Sequence, residues 1–151
     1  ARITPDDPAW FKSYDVRFTP TCILLNPEGG EEERSTGLLE GNALMAFLLL
    51  GLAKSYYDMG KLEEGGECTE ILTRDYPNSA QAPEGFFMRG IFRYHADHNR
   101  DHFKESFEIL HERYHDSIWM KRARLLYLYP CALFRWQTFR DQKGDFWDKN
   151  D

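Results

Sequence analysis

The chain is short of several things, and each shortage narrows the problem. It has only three cysteines in 151 residues, Cys22, Cys68 and Cys131, with no CxxC and no even set at close spacing. A disulfide framework and a zinc-type cysteine site are therefore excluded, and three scattered thiols read most simply as belonging to a reducing compartment, hence a cytoplasmic expectation. No long hydrophobic run is present: the most apolar stretch, Ala43 to Ala53, falls well short of the roughly 20 residues that span a bilayer. No signal peptide opens the chain, although one removed earlier would leave no trace. Excess positive charge is missing too. With 19 basic and 25 acidic side chains the formal charge is −6, which argues against nucleic acid as the main partner. Neither GxGxxG, a P-loop, GxSxG nor HExxH occurs. Carboxylate runs such as Glu31-Glu32-Glu33 and Glu63-Glu64 read as solvated faces rather than acid/base pairs.

What remains is a chain rich in large side chains. Aromatics make up 15% of it and hydrophobic residues 42%, enough for a packed core. Charge is unevenly spread: residues 1–118 sum to −9, residues 119–143 to +5 and the last eight to −2. The basic stretch Lys121, Arg122, Arg124, Arg135, Arg140 and Lys143 interleaves with Trp119, Leu125, Leu126, Tyr127, Leu128, Phe134, Trp136 and Phe139. It reads as a capping helix, a docking helix for a partner, or a helix lying on a membrane surface.

Along the chain, Asp7 to Tyr14 predicts a short helix, with Pro8 in its first turn. Thr21 to Leu25 predicts a buried strand and Asn26-Pro27-Glu28-Gly29-Gly30 a tight turn. Glu31 to Thr36 completes a hairpin, and two strands alone call for another sheet partner. From Asn42, read as a helix cap, the pattern is helical throughout. Helices are expected at Ala43 to Tyr57, stopped by Gly60, then at Lys61 to Asp75, Ala82 to Tyr94 and His102 to Tyr114. His95 to Asp101 reads as a turn. A last helix starts near Ser117 and is interrupted at Pro130, and a loose polar tail follows from Gly144.

Two internal echoes point to helical repeats. Tyr76-Pro77-Asn78-Ser79 returns as Tyr114-His115-Asp116-Ser117, 38 positions later. Leu52-Ala53-x-x-Tyr56, Gly60-Lys61-Leu62, Gly65 and Pro77 fall on the large, small, aromatic, turn, small and terminal-Pro positions of the tetratricopeptide repeat (TPR), which residues 43–129 resemble. The second unit, with Gly90 and Phe86-Phe87, matches less well: His95 to Asp101 lengthens its turn and His115 stands in place of Pro. A generic stack of helical hairpins carries much the same pattern. The resemblance implies two hairpins over 43–116 whose first helices expose a partner-binding groove, with Tyr56, Tyr57, Phe87, Arg89, Arg93 and Tyr94 as candidate groove residues.

The first 50 residues carry another likeness. Tyr14 to Thr21, a strand, Asn26-Pro27-Glu28-Gly29, a second strand with Arg34, and Gly37 before a helix resemble the C-terminal half of a thioredoxin fold. That family places a cis peptide beside its active-site thiols at the position of Thr19, Pro20 and Thr21, and X-Pro bonds are where cis is accessible. The half bearing the CxxC is missing, and Ala1 to Pro5 look like the end of a strand. The chain, which does not begin with Met, reads as a fragment of a longer protein, with two alternatives: the missing half comes from another chain, or the fold has been reduced to an adaptor. The fold class expected is thus mainly α, TPR-like hairpins preceded by a partial thioredoxin-like α/β segment over residues 1–42 that shares its last helix with the repeats. Residues 117–143 would form the terminal helix.

Function follows in two forms: a protein–protein interaction module, or part of a thiol-disulfide oxidoreductase whose CxxC lies outside this chain. Partners would meet the helical groove or the basic-aromatic helix, or a second chain would complete the truncated sheet. Cys22, Cys68 and Cys131 read as packing residues. No cofactor is called for. The histidines leave one opening: His95, His98 and His102 gather around a turn with Asp97 and Asp101, a set that suits zinc, a pH-sensitive surface, or plain solvated polarity. His111 and His115 share one helix face but lie too far along it to join them.

Overall fold

The computed structural model describes residues 8–129, and the expectations for Ala1 to Pro5, Pro130, Cys131 and residues 132–151 lie outside them. Within that span the chain is mainly helical, with one small antiparallel sheet. A short helix α1 (Pro8–Ser13) leads to β1 (Thr21–Leu25), which pairs with β2 (Glu31–Thr36). Asn26 shapes the turn between them: its amide N–H donates to Gly30 O at 2.8 Å, and its Oδ1 accepts from Gly30 N at 2.6 Å. The register runs from Thr21↔Thr36 to Leu24↔Glu33, then slips by one residue at Leu25↔Glu31. The Thr19–Pro20 peptide is cis.

Five helices follow: α2 (Gly41–Asp58), α3 (Leu62–Asp75), α4 (Ala82–Asp97), α5 (Asp101–Arg113) and α6 (Ile118–Leu128). The connections between α2 and α3 and between α4 and α5 hold only three residues each, so both pairs are antiparallel neighbours. Each helix packs on the next, and α4 also touches α2 and α6. Leu50, Leu72, Ile91, Phe103 and Leu110 fill the resulting core. Helix α2 has a second contact: its Gly51 lies on Leu24 and Glu33, so the sheet sits on the same helix that opens the stack.

Small residues set the helix spacing. A Cβ added at Gly65 would meet the Phe92 ring at 2.5 Å and Ala53 O at 3.3 Å. One at Gly90 would run into Ser106 Oγ, which itself donates to Phe86 O at 3.0 Å. These are the points where α3 and α4, and α4 and α5, approach too closely for a side chain.

The repeated corner is structural as well as textual. Tyr76 and Tyr114 end α3 and α5 with nearly the same backbone, φ −126° and ψ 43° against φ −138° and ψ 44°. Ser79 N donates to Tyr76 O at 3.0 Å and Ser117 N to Tyr114 O at 2.9 Å. Tyr114 also reaches back to donate its hydroxyl to Pro77 O, tying one corner to the other. Ser117 caps α6 by accepting from Trp119 N at 3.1 Å.

Three expectations are corrected. Asn42 does not cap α2; the helix begins at Gly41, with extended Glu40 at the cap position. Helix α4 continues through His95 to Asp97, because Tyr94 and His95 still have packing partners, and left-handed His98 (φ 59°) closes it. The turn is therefore His98 to Arg100 alone. Glu33 is not a solvated residue: Lys54 and α2 cover it, and 13% of its side chain is exposed.

Candidate partner-binding surface

The six residues proposed to line a groove do not share one face. Phe87 is core, its ring 5.2 Å from that of Trp119 between α4 and α6. Tyr57 is half-buried, edge-on to Phe92 at 5.8 Å and beside His95 at 6.1 Å. Tyr94 packs on Phe103 at 4.7 Å and on His98 at 5.7 Å. Tyr56 is half-buried with Lys61 Nζ 5.9 Å from its ring centroid.

Arg89 and Arg93 lie one turn apart on α4, on the side that meets α3 and α5. Arg93 donates to Glu70 Oε1 at 2.6 Å and to both oxygens of Glu105 at 3.0 and 3.1 Å. Arg89 donates to the same Glu105 Oε1 at 3.1 Å, and its guanidinium stands 4.9 Å from the Phe86 ring centroid. Two cations and two carboxylates from three helices thus neutralise one another. The hydrogen bond to Glu70 holds the Arg93 guanidinium above its ordinary pKa, whereas burial and the neighbouring Arg93 charge pull Arg89 below its own.

A second charged cluster occupies the opposite side of α4. Lys54 of α2 donates to Glu33 Oε2 of β2 at 2.6 Å and to Glu84 Oε1 of α4 at 2.7 Å. Between 13% and 24% of each side chain is exposed, so hairpin and stack are joined by charges largely withdrawn from water. Burial works against the Lys54 ammonium, but Glu84 and Glu33 outweigh it and raise its pKa. Burial pushes the Glu84 carboxyl up, further than Lys54 brings it down. Arg122 of α6 adds its charge near Glu84 while covering the Trp119 ring at 4.4 Å. The meeting of these residues is not legible in the sequence, because Glu33 and Glu84 stand 21 and 30 positions from Lys54 on different elements. The only available hint was a lone Lys within an otherwise apolar helix.

At the cis-proline loop, Thr19 and Pro20 are exposed and Thr21 Oγ1 donates to Phe18 O at 2.6 Å. Asp15, Arg17, Phe18, Thr21, Arg34 and Thr36 line a shallow recess beside it. Its charges are already paired: Arg17 with Asp15 at 2.9 Å, and Arg34 with Glu31 and with the Tyr14 carbonyl. Among the described residues no thiol lines the recess, and Cys22 and Cys68 are both free and half-buried. Burial, with Glu67 nearby, pushes the Cys68 thiol up, away from thiolate chemistry.

The histidines have separate surroundings. His102 Nε2 lies 2.8 Å from Asp97 Oδ2, and that hydrogen bond holds the Asp97 carboxyl below its ordinary value. His98 packs on Tyr94, and His95 lies half-buried between Tyr57 and Tyr94, its pKa lowered by burial and by His98. Among the described residues, no three His, Cys, Asp or Glu side chains come together as a metal site. No described helix is long and apolar enough to cross a membrane. No family model, curated protein or solved structure matches the chain.

Proposed function

We propose that the chain is a protein–protein interaction module, a TPR-type stack of helical hairpins joined to a thioredoxin-like segment that carries no CxxC of its own. The observation that carries this reading is the repeated corner at Tyr76 and Tyr114, with matching backbone and a direct bond from Tyr114 to Pro77. Repetition of one hairpin places first helices side by side, and α4 touches both α2 and α6. The surface they share is underlain by the paired, mostly covered Lys54 and Glu84, with Arg122 beside them over the Trp119 ring, and an extended peptide would lie across this cluster. The test is a display library of extended peptides panned against the whole chain, followed by NMR mapping of the best binder. Shifts should centre on Lys54, Glu84 and Trp119. Failure to enrich any peptide, or shifts confined to α3 and α5, would overturn the reading.

A second reading is supported by the element order helix-strand-turn-strand-helix, with the outer edge of β1 unpaired among the described residues: a thioredoxin-family subunit whose CxxC half comes from another chain. Insulin reduction by the chain alone should then stay at background and rise only when a CxxC-bearing partner is added. Turnover by the chain alone would contradict both readings.

A further inference from the structure

We propose that the outer face of α6 docks an acidic amphipathic helix of a partner protein, on a surface separate from the one over Lys54. The first observation is a helix that is apolar on two sides. Toward the stack, Trp119 packs on Phe87 of α4, Ala123 is buried and Tyr127 stacks on Phe107 of α5. On the opposite side Ile118, Lys121, Leu125 and Leu128 recur at intervals of three and four, which at about 100° per residue form one stripe. Ile118, Leu125 and Leu128 are 51%, 48% and 50% exposed. A helix that is apolar on both sides is ordinarily covered on both.

The second observation is what the repeat places at the same positions. The corner recurs after 38 residues, which aligns Leu125 and Leu128 of α6 with Phe87 and Gly90 of α4. Both α4 positions are buried, each against a helix: Phe87 against Trp119 of α6, Gly90 against Ser106 of α5. By the same register, the occupant that fits Leu125 and Leu128 is a helix.

The third observation is charge. Alone among α2 to α6, α6 contains no carboxylate, and it carries Lys121, Arg122 and Arg124. Lys121 stands within the stripe and Arg124 at its edge; both are exposed, and neither forms an ion pair among the described residues. Carboxylates flanking the apolar residues of an incoming helix would meet them. The same charges disfavour other occupants. A second copy of α6 would bring like charges together. Residues 131–143, which follow directly, carry Arg135, Arg140 and Lys143 against Asp141 alone. An anionic bilayer would attract α6 but repel the −9 of residues 1–118. A stripe about 15 Å long makes a small contact, suited to a dissociation constant on the order of 10 µM.

The probe is a synthetic helix of about 15 residues, with leucines at i, i+3, i+4 and i+7 flanked by glutamates, and a twin carrying lysines instead. Titrated into the isotope-labelled whole chain, the acidic helix should bind at about 10 µM and shift the amides of Ile118, Lys121, Leu125 and Leu128. The twin should bind at least ~10-fold more weakly, and Lys121→Glu with Arg124→Glu should reverse that preference. Leu125→Gln should weaken the acidic helix at least ~10-fold with unchanged circular dichroism. Should the charge-reversed chain unfold, salt takes its place: raising it to about 0.5 M should close the gap between the twins, and a gap that stays open overturns the proposal. Equal binding of the twins, no binding up to about 1 mM, or shifts centred on other helices also overturn it. So does binding to vesicles of phosphatidylcholine and phosphatidylserine without binding to the acidic helix, which would assign the face to a lipid surface. If Asp145→Asn with Asp148→Asn moves the Lys121 and Leu125 amides of the unliganded chain, the chain's own tail fills the face and the proposal fails.

Discussion

Lys54 holds two carboxylates that its removal would leave facing each other in a poorly solvated space. Lys54→Met should therefore cost more than an exposed ion pair, about 2–3 kcal/mol by urea unfolding at neutral pH, because the loss leaves buried charge uncompensated. Glu84 supplies a pH signature. Its carboxyl titrates above the ordinary 4.5 in the folded chain, so the folded state binds its proton more tightly than the unfolded state does. The stability it contributes is fully present below pH 4.5 and is lost as pH rises through the folded value. Relative to Glu84→Gln, the unaltered chain should thus lose stability as pH increases across that window. A difference between the two that stays flat from pH 4 to pH 7 would rule this out.

Helix spacing gives a paired prediction on adjacent glycines of α3. At Gly65 an added methyl meets the Phe92 ring at 2.5 Å, whereas at Gly66 the nearest atom, Phe92 Cβ, is at 3.6 Å. Gly65→Ala should destabilise by about 1–3 kcal/mol through overpacking. Gly66→Ala should stabilise by up to about 1 kcal/mol, since only the gain in helix propensity remains. Thermal melts of both variants read this opposite sign directly. The elements themselves were largely legible in the residues: the turn chemistry of Asn26 to Gly30 is local, and Ala53 and Gly65, twelve positions apart, belong to one helical hairpin. The end of α4 was not legible, because His95, Ala96 and Asp97 are polar or small. Their helical state depends on Tyr57 and Phe103, which other elements supply. The charged clusters escaped for the same reason, since Glu70, Arg93 and Glu105 meet only after three helices have packed.

At the scale of the molecule, the stack is held by contacts between successive helices and by those of α4 with α2 and α6, and Tyr114 and Lys54 add ties of longer range. Tyr114 joins the second corner to the first, and Lys54 joins the hairpin to both α2 and α4. A linear array with nearest-neighbour contacts unfolds piecemeal unless such ties couple its parts. Tyr114→Phe leaves Pro77 O without its donor and should cost about 1 kcal/mol while helix content is kept. Lys54→Met should act differently, on the sheet in particular, because two strands alone are only marginally stable and rely on α2 for support. Hydrogen exchange separates the two cases. In the unaltered chain, the paired amides of β1 and β2 should open together with those of α2. In Lys54→Met they should exchange faster while the amides of α4 and α5 keep their mutual order. Uniform acceleration across hairpin and stack would instead mean that Lys54 stabilises the whole molecule without linking its two parts.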